Sequence, residues 1–381
     1  MKSVTLCSRM PHDNSYVGGV VSILLSYLNS AQYFENNGYE LKLFDYQLPQ
    51  DMRIRNAKLK NILYIFRQRK ALSKRLKQDN DTILNIHTSR EFLFLKDVFL
   101  AKFAWKKHCV PVVLTVHVGD IATVFNRIQP FKKLLIKYMN RYIAKTVFLS
   151  KEIMAQFVAE GLDADKCEVL YNFHNLEPIA ENEELPRTAQ LHLLYVGAIH
   201  REKGVIELLT ALNQLQTLDW HLDLCGKLTD SSIQGEYSSL ISSLRNKVTE
   251  HGYVSGKEKT AIFERADALI LPSYHEGMPL VVLEALAGGC AVISTKVGAT
   301  PEILTEDNVC WVEEKSAEDL SKIIQKLYVS QDKLKRLKDN NLALSGEYGI
   351  EEHIAKLCKI YESVNNNGTY LRKEGKNKNT N

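Results

Sequence analysis

The run "ADALILPSYHEGMPLVVLEALAGGCAVIST", residues 266–295, limits the fold more than any other part of the chain. "ADALILPS" reads as a buried strand. A helix follows from Pro279 to about Ala287, Gly288 and Gly289 stop it, and "CAVIST" is a second strand. Strand, helix and strand in that order make a βαβ unit, and repeated βαβ units build a parallel sheet with helices on its faces.

The same alternation runs along most of the chain. "VTLC" at 4–7 is followed by a loop holding Gly18 and Gly19, then by an apolar-periodic helix from Val20 to about Phe34. Further strands are expected at "LKLFD" (41–45), "TILNIH" (82–87), "PVVLTVH" (111–117) and "TVFLS" (146–150), all rich in β-branched and aromatic residues. Residues 176–190, "LEPIAENEELPRTAQ", are acidic, carry two prolines and lack periodicity, which is a linker pattern. The alternation then restarts with "LHLLYVG" (191–197), a helix after Gly204, "HLDLCG" (221–226) and the run quoted first. At 381 residues the chain exceeds the roughly 100–200 residues of one ordinary core, so two Rossmann-like halves are the economical architecture. The expected division is a first domain at 1–178, a linker at 179–190, a second domain at 191–345, a helix at 346–364 and a disordered polar tail at 365–381.

Composition excludes several classes. An apolar fraction of 45% and a charged fraction of 25% suit a soluble globular protein. The seven cysteines are odd in number, widely spaced and without a C-x-x-C pair, so they read as small buried apolar residues in a reducing compartment. The N-terminal "MKSVTLCSRMP" has an apolar run too short for a signal peptide, and no run approaches the ~18 residues needed to span a bilayer. A cytoplasmic location is expected. The net charge of +4 conceals an asymmetry: residues 1–175 carry +11 and the remainder −7.

In open parallel sheets ligands bind beyond the carboxyl ends of strands, which places the residues after "ADALILPS" at a site. Glu276 falls in the loop before the helix and Glu284 in its second turn. The first amides of the helix, preceded by Gly277 with no side chain in the way, suit a phosphate. A carboxylate at Glu284 suits the vicinal hydroxyls of a ribose, and Glu276 could face a group attached beyond the diphosphate. The plainer account is that both are solvated acids favoured by the helix dipole. In "YVGAIHREKGVIELL", residues 195–209, Arg201 and Lys203 flank a turn closed by Gly204 beside a helix start. Two cations there suit a diphosphate, and a basic surface turn is the plainer account.

The glycine after the 191–197 strand with "EKG", the run "GYVS…A…ADALILPSYHEGMPLVVLEALAGGCAVIST.VG..PEI" and the E-x7-E spacing resemble the GT4 family of retaining glycosyltransferases, of the GT-B fold. The likeness is dense from about 191 to 305 and weaker before it, through the Gly18-Gly19 loop, "VVLTVH" and "VLYN". It implies an α/β GT-B protein with two Rossmann-like domains facing a central cleft and a final helix returning to the first domain. It implies that Lys203 contacts the donor diphosphate, Glu284 the ribose, the segment Gly277, Met278, Pro279 and Leu280 the phosphate and sugar, and Glu276 the donor sugar. The backbone near Tyr253 and Val254 would touch the base, Gly19 would admit the donor, and His117 would contact the transferred sugar. Many relatives carry an arginine where this chain has Ala198, and Arg201 is the substitute nearest in sequence. The implied reaction moves a sugar from a nucleotide donor, UDP being the favoured nucleotide, by front-face attack with retention. A glycan or lipid-linked acceptor in bacterial surface polysaccharide synthesis is the implied partner.

No metal requirement is expected. The D-x-D match Asp163-Ala164-Asp165 lies between a helix and a strand and reads as a solvated turn, and His87, His117 and His275 lack ligand spacing. Two basic amphipathic stretches, 53–77 with Leu59, Ile62, Leu63, Phe66, Leu72 and Leu76, and 131–145, either bury their apolar stripes in the domain or dock on anionic lipid at the inner face of the plasma membrane. No nucleic-acid-binding module is present, and no G-x-G-x-x-G follows the first strand. A GT-B nucleotide-sugar 2-epimerase and a catalytically silent sugar-nucleotide-binding protein are the rival functions.

Overall fold

A computed structural model describes the chain except residues 9, 11–18, 46–57, 80–81, 89–90, 120–124, 127, 177–189 and 378–381, and the side chains at 58–64, 91–93 and 366–377. Among the described residues the strands form two six-stranded sheets, one in each of two units. All adjacent strands are parallel, as expected of chained βαβ units.

The first unit comprises residues 1–171 and 351–381. Its strands are β1 (Lys2–Ser8), β2 (Tyr39–Asp45), β3 (Thr82–Thr88), β4 (Val112–Val116), β5 (Lys145–Phe148) and β6 (Cys167–Val169), ordered β2-β1-β3-β4-β5-β6. The helices are α1 (Gly19–Asn29), α2 (Ala31–Asn36), α3 (Lys58–Gln78), α4 (Glu91–His108), α5 (Lys132–Tyr142) and α6 (Lys151–Ala159). Central strands β3 and β4 are buried at every position, which is why they read as near-continuous apolar runs. Leu84, Ile86, Val112, Leu114 and Val116 pack there against Phe94, Val98 and Phe157.

The second unit comprises residues 172–350. Its strands are β7 (Leu191–Val196), β8 (Trp220–Cys225), β9 (Val248–Gly252), β10 (Ala268–Leu271), β11 (Ala291–Ser294) and β12 (Val309–Trp311), ordered β12-β11-β10-β7-β8-β9. Its main helices are α7 (Val205–Gln214), α8 (Gln234–Leu244), α9 (Gly256–Arg265), α10 (Leu280–Ala287), α11 (Ala317–Val329) and α12 (Gln331–Ser345). The chain builds outward from β7 through β8 to β9, then crosses back to place β10 on the other side of β7. That reversal makes a switch point at the carboxyl ends of β7 and β10, where a crevice opens in such sheets. Both loops singled out from the sequence, 197–204 and 272–280, leave the sheet there.

Several expectations need correcting. The helix expected over 20–34 is two helices, because Ser30 leaves helical geometry at φ −111°, ψ 26°. Pro279, expected as the first helical residue, precedes the helix in an extended conformation at ψ 118°, and α10 starts at Leu280. The edge strands β9 and β12 add to those expected from sequence, and β6 is the strand expected after Asp165. They are short, and β9, "VTEHG", lies partly open to solvent, so apolar patterning does not mark it. The last helix, α13, runs Ile350–Asn377 rather than ending at 364, and its inner face of Ile354, Leu357, Cys358, Tyr361 and Val364 is buried. Five cysteines are buried, but Cys109 is exposed just beyond the end of α4 and Cys167 is half-buried on an edge strand. Phe66, placed on the buried stripe of its helix by spacing, is 62% exposed, whereas Leu72 and Leu76 are buried. The expected linker lies almost wholly outside the described residues, as do Gly18 and residues 53–57.

Candidate functional site

In the second unit the loop after β10 is held from two sides. On one side stands the short turn Arg201–Lys203, whose closing residue, Gly204, adopts φ +67°. A Cβ on Gly204 would lie 2.1 Å from the Pro272 carbonyl oxygen, so only glycine lets the two loops meet. The Tyr274 N–H donates to the Glu202 carbonyl at 2.9 Å. On the other side the Ala299 N–H donates to the Gly277 carbonyl at 2.8 Å, and Gly298, at φ +53°, passes so close that a Cβ would sit 2.1 Å from the same oxygen. The Asn172 amide donates to the Met278 carbonyl at 3.0 Å. The backbone of 274–278 is thereby fixed before any ligand arrives, which is the condition for recognition by main-chain groups.

Glu276 sits between two donors. Lys203 Nζ donates to Glu276 Oε1 at 2.7 Å, and the buried Ser273 hydroxyl donates to the same oxygen at 3.0 Å. Arg201 goes elsewhere: its Nη2 donates to Glu236 at 2.7 Å, with both side chains about half exposed. Of the two expected diphosphate cations, only Lys203 reaches the Glu276 loop. The Ala198 carbonyl accepts the Tyr195 hydroxyl at 2.8 Å.

Glu284 is 6% exposed on α10. Lys259, from α9, donates to its Oε1 at 2.5 Å, while its Oε2 is buried with no protein partner. A buried carboxylate oxygen without a donor is costly, so this atom is prepared for a hydroxyl or amide from outside the chain. Leu280, preceded by Pro279, opens α10, whose first N–H groups have no partner within the helix. Val254 is buried and Tyr253 41% exposed in the turn between β9 and α9, the helix that supplies Lys259.

The first unit presents a different arrangement. Gly19 begins α1, and a Cβ there would meet open space. His117 follows β4 directly, its N–H donating to the Thr88 carbonyl at 2.8 Å. Its imidazole Nε2 lies 2.9 Å from Nδ1 of His87, a residue of β3 that is 2% exposed. Nearby, His353 of α13 bonds the Tyr171 carbonyl through Nδ1 at 2.8 Å and the Tyr27 hydroxyl through Nε2 at 2.6 Å. A carbonyl only accepts, so His353 carries its proton on Nδ1 and Tyr27 donates. Burial holds all three histidines neutral: it pushes His117 down to about 4, His353 to about 3, and His87 well below the ordinary range, where His117 and His353 add to the effect.

His87, Lys259, Tyr27 and His353, which the structure brings into hydrogen bonds beside these groups, carried no expected role from the sequence. The available signal was weak: a histidine in the buried strand "TILNIHT" needs a partner, but its partner is thirty residues away. Asp163 and Asp165 form a local turn, the Asp163 carboxylate accepting from the Asp165 N–H at 3.1 Å. Among the described residues no group of three or more His, Cys, Asp or Glu side chains is placed to hold a metal ion.

Two doubly wound parallel sheets, with the held loops of one at its switch point, define an α/β protein of the GT-B class. Over 96% of this chain and 99% of that one, the fold matches sucrose-phosphate synthase from Thermosynechococcus elongatus at TM-score 0.74 and 17% identity. It also matches Anabaena HepE in complex with UDP-glucose, over 95% of this chain and 100% of that one, at TM-score 0.71 and 15% identity. In sequence, an uncharacterized glycosyltransferase of Methanocaldococcus jannaschii, MJ1178, is 27% identical over 68% of this chain. TuaC of Bacillus subtilis, a glycosyltransferase provisionally named for teichuronic acid biosynthesis, is 29% identical over 56%. These matches span 70% and 54% of the two relatives' own lengths. Residues 25–178 match the family described as Glycosyltransferase Family 4, and residues 178–343 the family described as Glycosyl transferases group 1. The chain belongs to the GT4-type glycosyltransferases.

Proposed function

We propose that the protein transfers a sugar from a nucleotide diphosphate donor, preferably a UDP-sugar, with retention at the anomeric carbon and without a required metal ion. The observation that carries this reading is the Glu284 carboxylate, buried, oriented through one oxygen by Lys259 and left with the other unpaired beside a held glycine loop. A ribose hydroxyl is a donor of the right kind for that oxygen. Anabaena HepE, which shares the fold, is seen with UDP-glucose, and this supports a nucleotide sugar as ligand.

Each residue then has a task. The segment from Gly277 through Met278 and Pro279 to Leu280 holds phosphate and sugar by backbone groups, and Val254 borders the base. Lys203 moves from Glu276 toward the diphosphate, offsetting the negative charge that develops as the leaving group departs. Glu276, released from Lys203, meets the sugar on which positive charge develops. Arg201 contributes at longer range, since Glu236 already neutralises it. Gly19 and His117, in the first unit, are assigned to the donor and its sugar by resemblance. The leaving phosphate takes the acceptor's proton during front-face attack.

The acceptor in this reading is a glycan or lipid-linked saccharide of a bacterial surface polysaccharide, with the enzyme cytoplasmic and peripheral on the inner face of the plasma membrane. Support comes from the basic first half and from Phe66 and Phe131, 62% and 51% exposed on or beside the basic helices α3 and α5. Sedimentation with vesicles that shows no dependence on anionic lipid removes the membrane element. Among the described residues no helix is long and apolar enough to cross a membrane.

The central test is incubation with a panel of nucleotide sugars, with and without a saccharide acceptor, followed by product analysis. Transfer with retained configuration, undiminished by chelator, is expected. A changed sugar nucleotide formed without acceptor would indicate an epimerase, and binding without turnover a silent binding protein. Glu276→Ala and Lys203→Ala should each remove most transfer while circular dichroism stays native; near-normal turnover in either takes that residue out of the mechanism.

A further inference from the structure

We infer that His87 is a positioning residue that locks His117 in the Nδ1–H tautomer, so that His117 presents an N–H donor and no free lone pair at its outward nitrogen. The ring centroids are 5.1 Å apart and the planes 19° from parallel, while the nearest nitrogens are 2.9 Å apart. The centroid separation is the N···N distance plus about one ring radius at each end. The two imidazoles are therefore nearly coplanar and edge to edge, joined by one in-plane hydrogen bond rather than face to face.

One nitrogen of that bond donates and the other accepts, which leaves two arrangements for the neutral pair. In the first, His87 donates from Nδ1, His117 accepts at Nε2, and the His117 proton sits on Nδ1. In the second, His117 donates from Nε2 and the His87 proton sits on His87 Nε2. His87 Nε2 is buried and has no protein partner. The second arrangement would therefore bury an N–H without an acceptor, among the rarest defects in folded proteins, whereas the first leaves only an unused lone pair. His117 is half-buried, so solvent can satisfy its Nδ1 in either form and that end does not decide. The buried end does. Burial keeps both rings neutral near pH 7, which preserves the one-donor, one-acceptor count.

The consequence is chemical. With its outward nitrogen protonated and its inner one occupied, His117 cannot withdraw a proton from an acceptor hydroxyl, but it can donate a hydrogen bond to a sugar oxygen. This last step alone rests on the proposed placement of His117 beside the donor sugar.

The tautomer is read directly by long-range proton–nitrogen NMR on the full-length protein labelled at histidine, because a protonated and a bare ring nitrogen resonate far apart. The expected result at pH 7.5 is a protonated Nδ1 and a bare Nε2 on His117, against the Nε2–H preference of an unconstrained imidazole. In His87→Asp, where residue 87 offers only acceptors to the inner nitrogen, His117 Nε2 should instead be protonated. Nε2 protonated on His117 in the unaltered protein overturns the inference, as does a His87→Asp protein in which His117 Nε2 stays bare. The unaltered protein alone decides the first point should the variant not fold.

Discussion

Replacing Gly298 by alanine should damage the second unit in a way that separates stability from ligand binding. The backbone there is at φ +53°, which costs an alanine about 1 kcal/mol or somewhat more relative to glycine. The new Cβ would lie 2.1 Å from the Gly277 carbonyl oxygen and 2.6 Å from that of Glu276. Both contacts are backbone and cannot rotate away, so the two segments must part by about an ångström or more to reach van der Waals separation. That movement breaks the 2.8 Å bond from the Ala299 N–H to Gly277, worth about 1 kcal/mol. The sum is a loss of about 2–3 kcal/mol, measurable as a lower urea midpoint at unchanged slope. If the Gly277 segment holds the donor, a displacement near an ångström should also weaken nucleotide-sugar binding by about ten- to a hundredfold in titration calorimetry. Gly346→Ala is the control: its φ is −59° and open space surrounds the new Cβ, so both readings should stay near those of the parent. Unchanged stability in Gly298→Ala would refute the steric reasoning, and reduced stability with undiminished donor affinity would refute the placement of the donor.

Acid should weaken the first unit. The His353 pKa in the fold, about 3, lies below its unfolded value near 6.5, so its contribution is complete above about pH 6.5 and is lost as the pH falls toward 3; at pH 5 the loss is about 2 kcal/mol, and a urea series at pH 7.5 and 5 compared with His353→Gln tests it. Tyr361→Phe removes the acceptor of the Asn85 side-chain N–H, 2.7 Å away and buried, and should cost about 1–3 kcal/mol in the same assay; no change would mean the amide finds another partner. Asp223→Ala deprives Arg265 of two hydrogen bonds at 3.0 and 2.8 Å and His251 of one at 2.7 Å, for an expected loss of about 2 kcal/mol, moderated because Arg265 is partly exposed.

By itself the sequence determined the sheet type, the two-part organisation and the position of the glycine loop after β10. Those follow from periodicity and local chemistry: apolar runs such as "VVLTV" and "ALIL" are near-continuous because both faces of a central parallel strand are covered. Gly204 was readable as a turn residue, but only the structure showed that the Pro272 carbonyl at Gly204, and the Gly277 carbonyl at Gly298, occupy the space where a side chain would be. The edge strand Val248–Gly252 carried no pattern because its sides face solvent. Tertiary structure alone decided the pairings. Lys203 rather than Arg201 meets Glu276, Lys259 occupies one oxygen of Glu284, and His87 meets His117, because charge and hydrogen-bonding capacity belong to single residues while partnership depends on which strand ends the fold makes neighbours. β3 and β4 lie side by side in register, so their ends bring His87 and His117 within one hydrogen bond; no spacing along the chain encodes that distance.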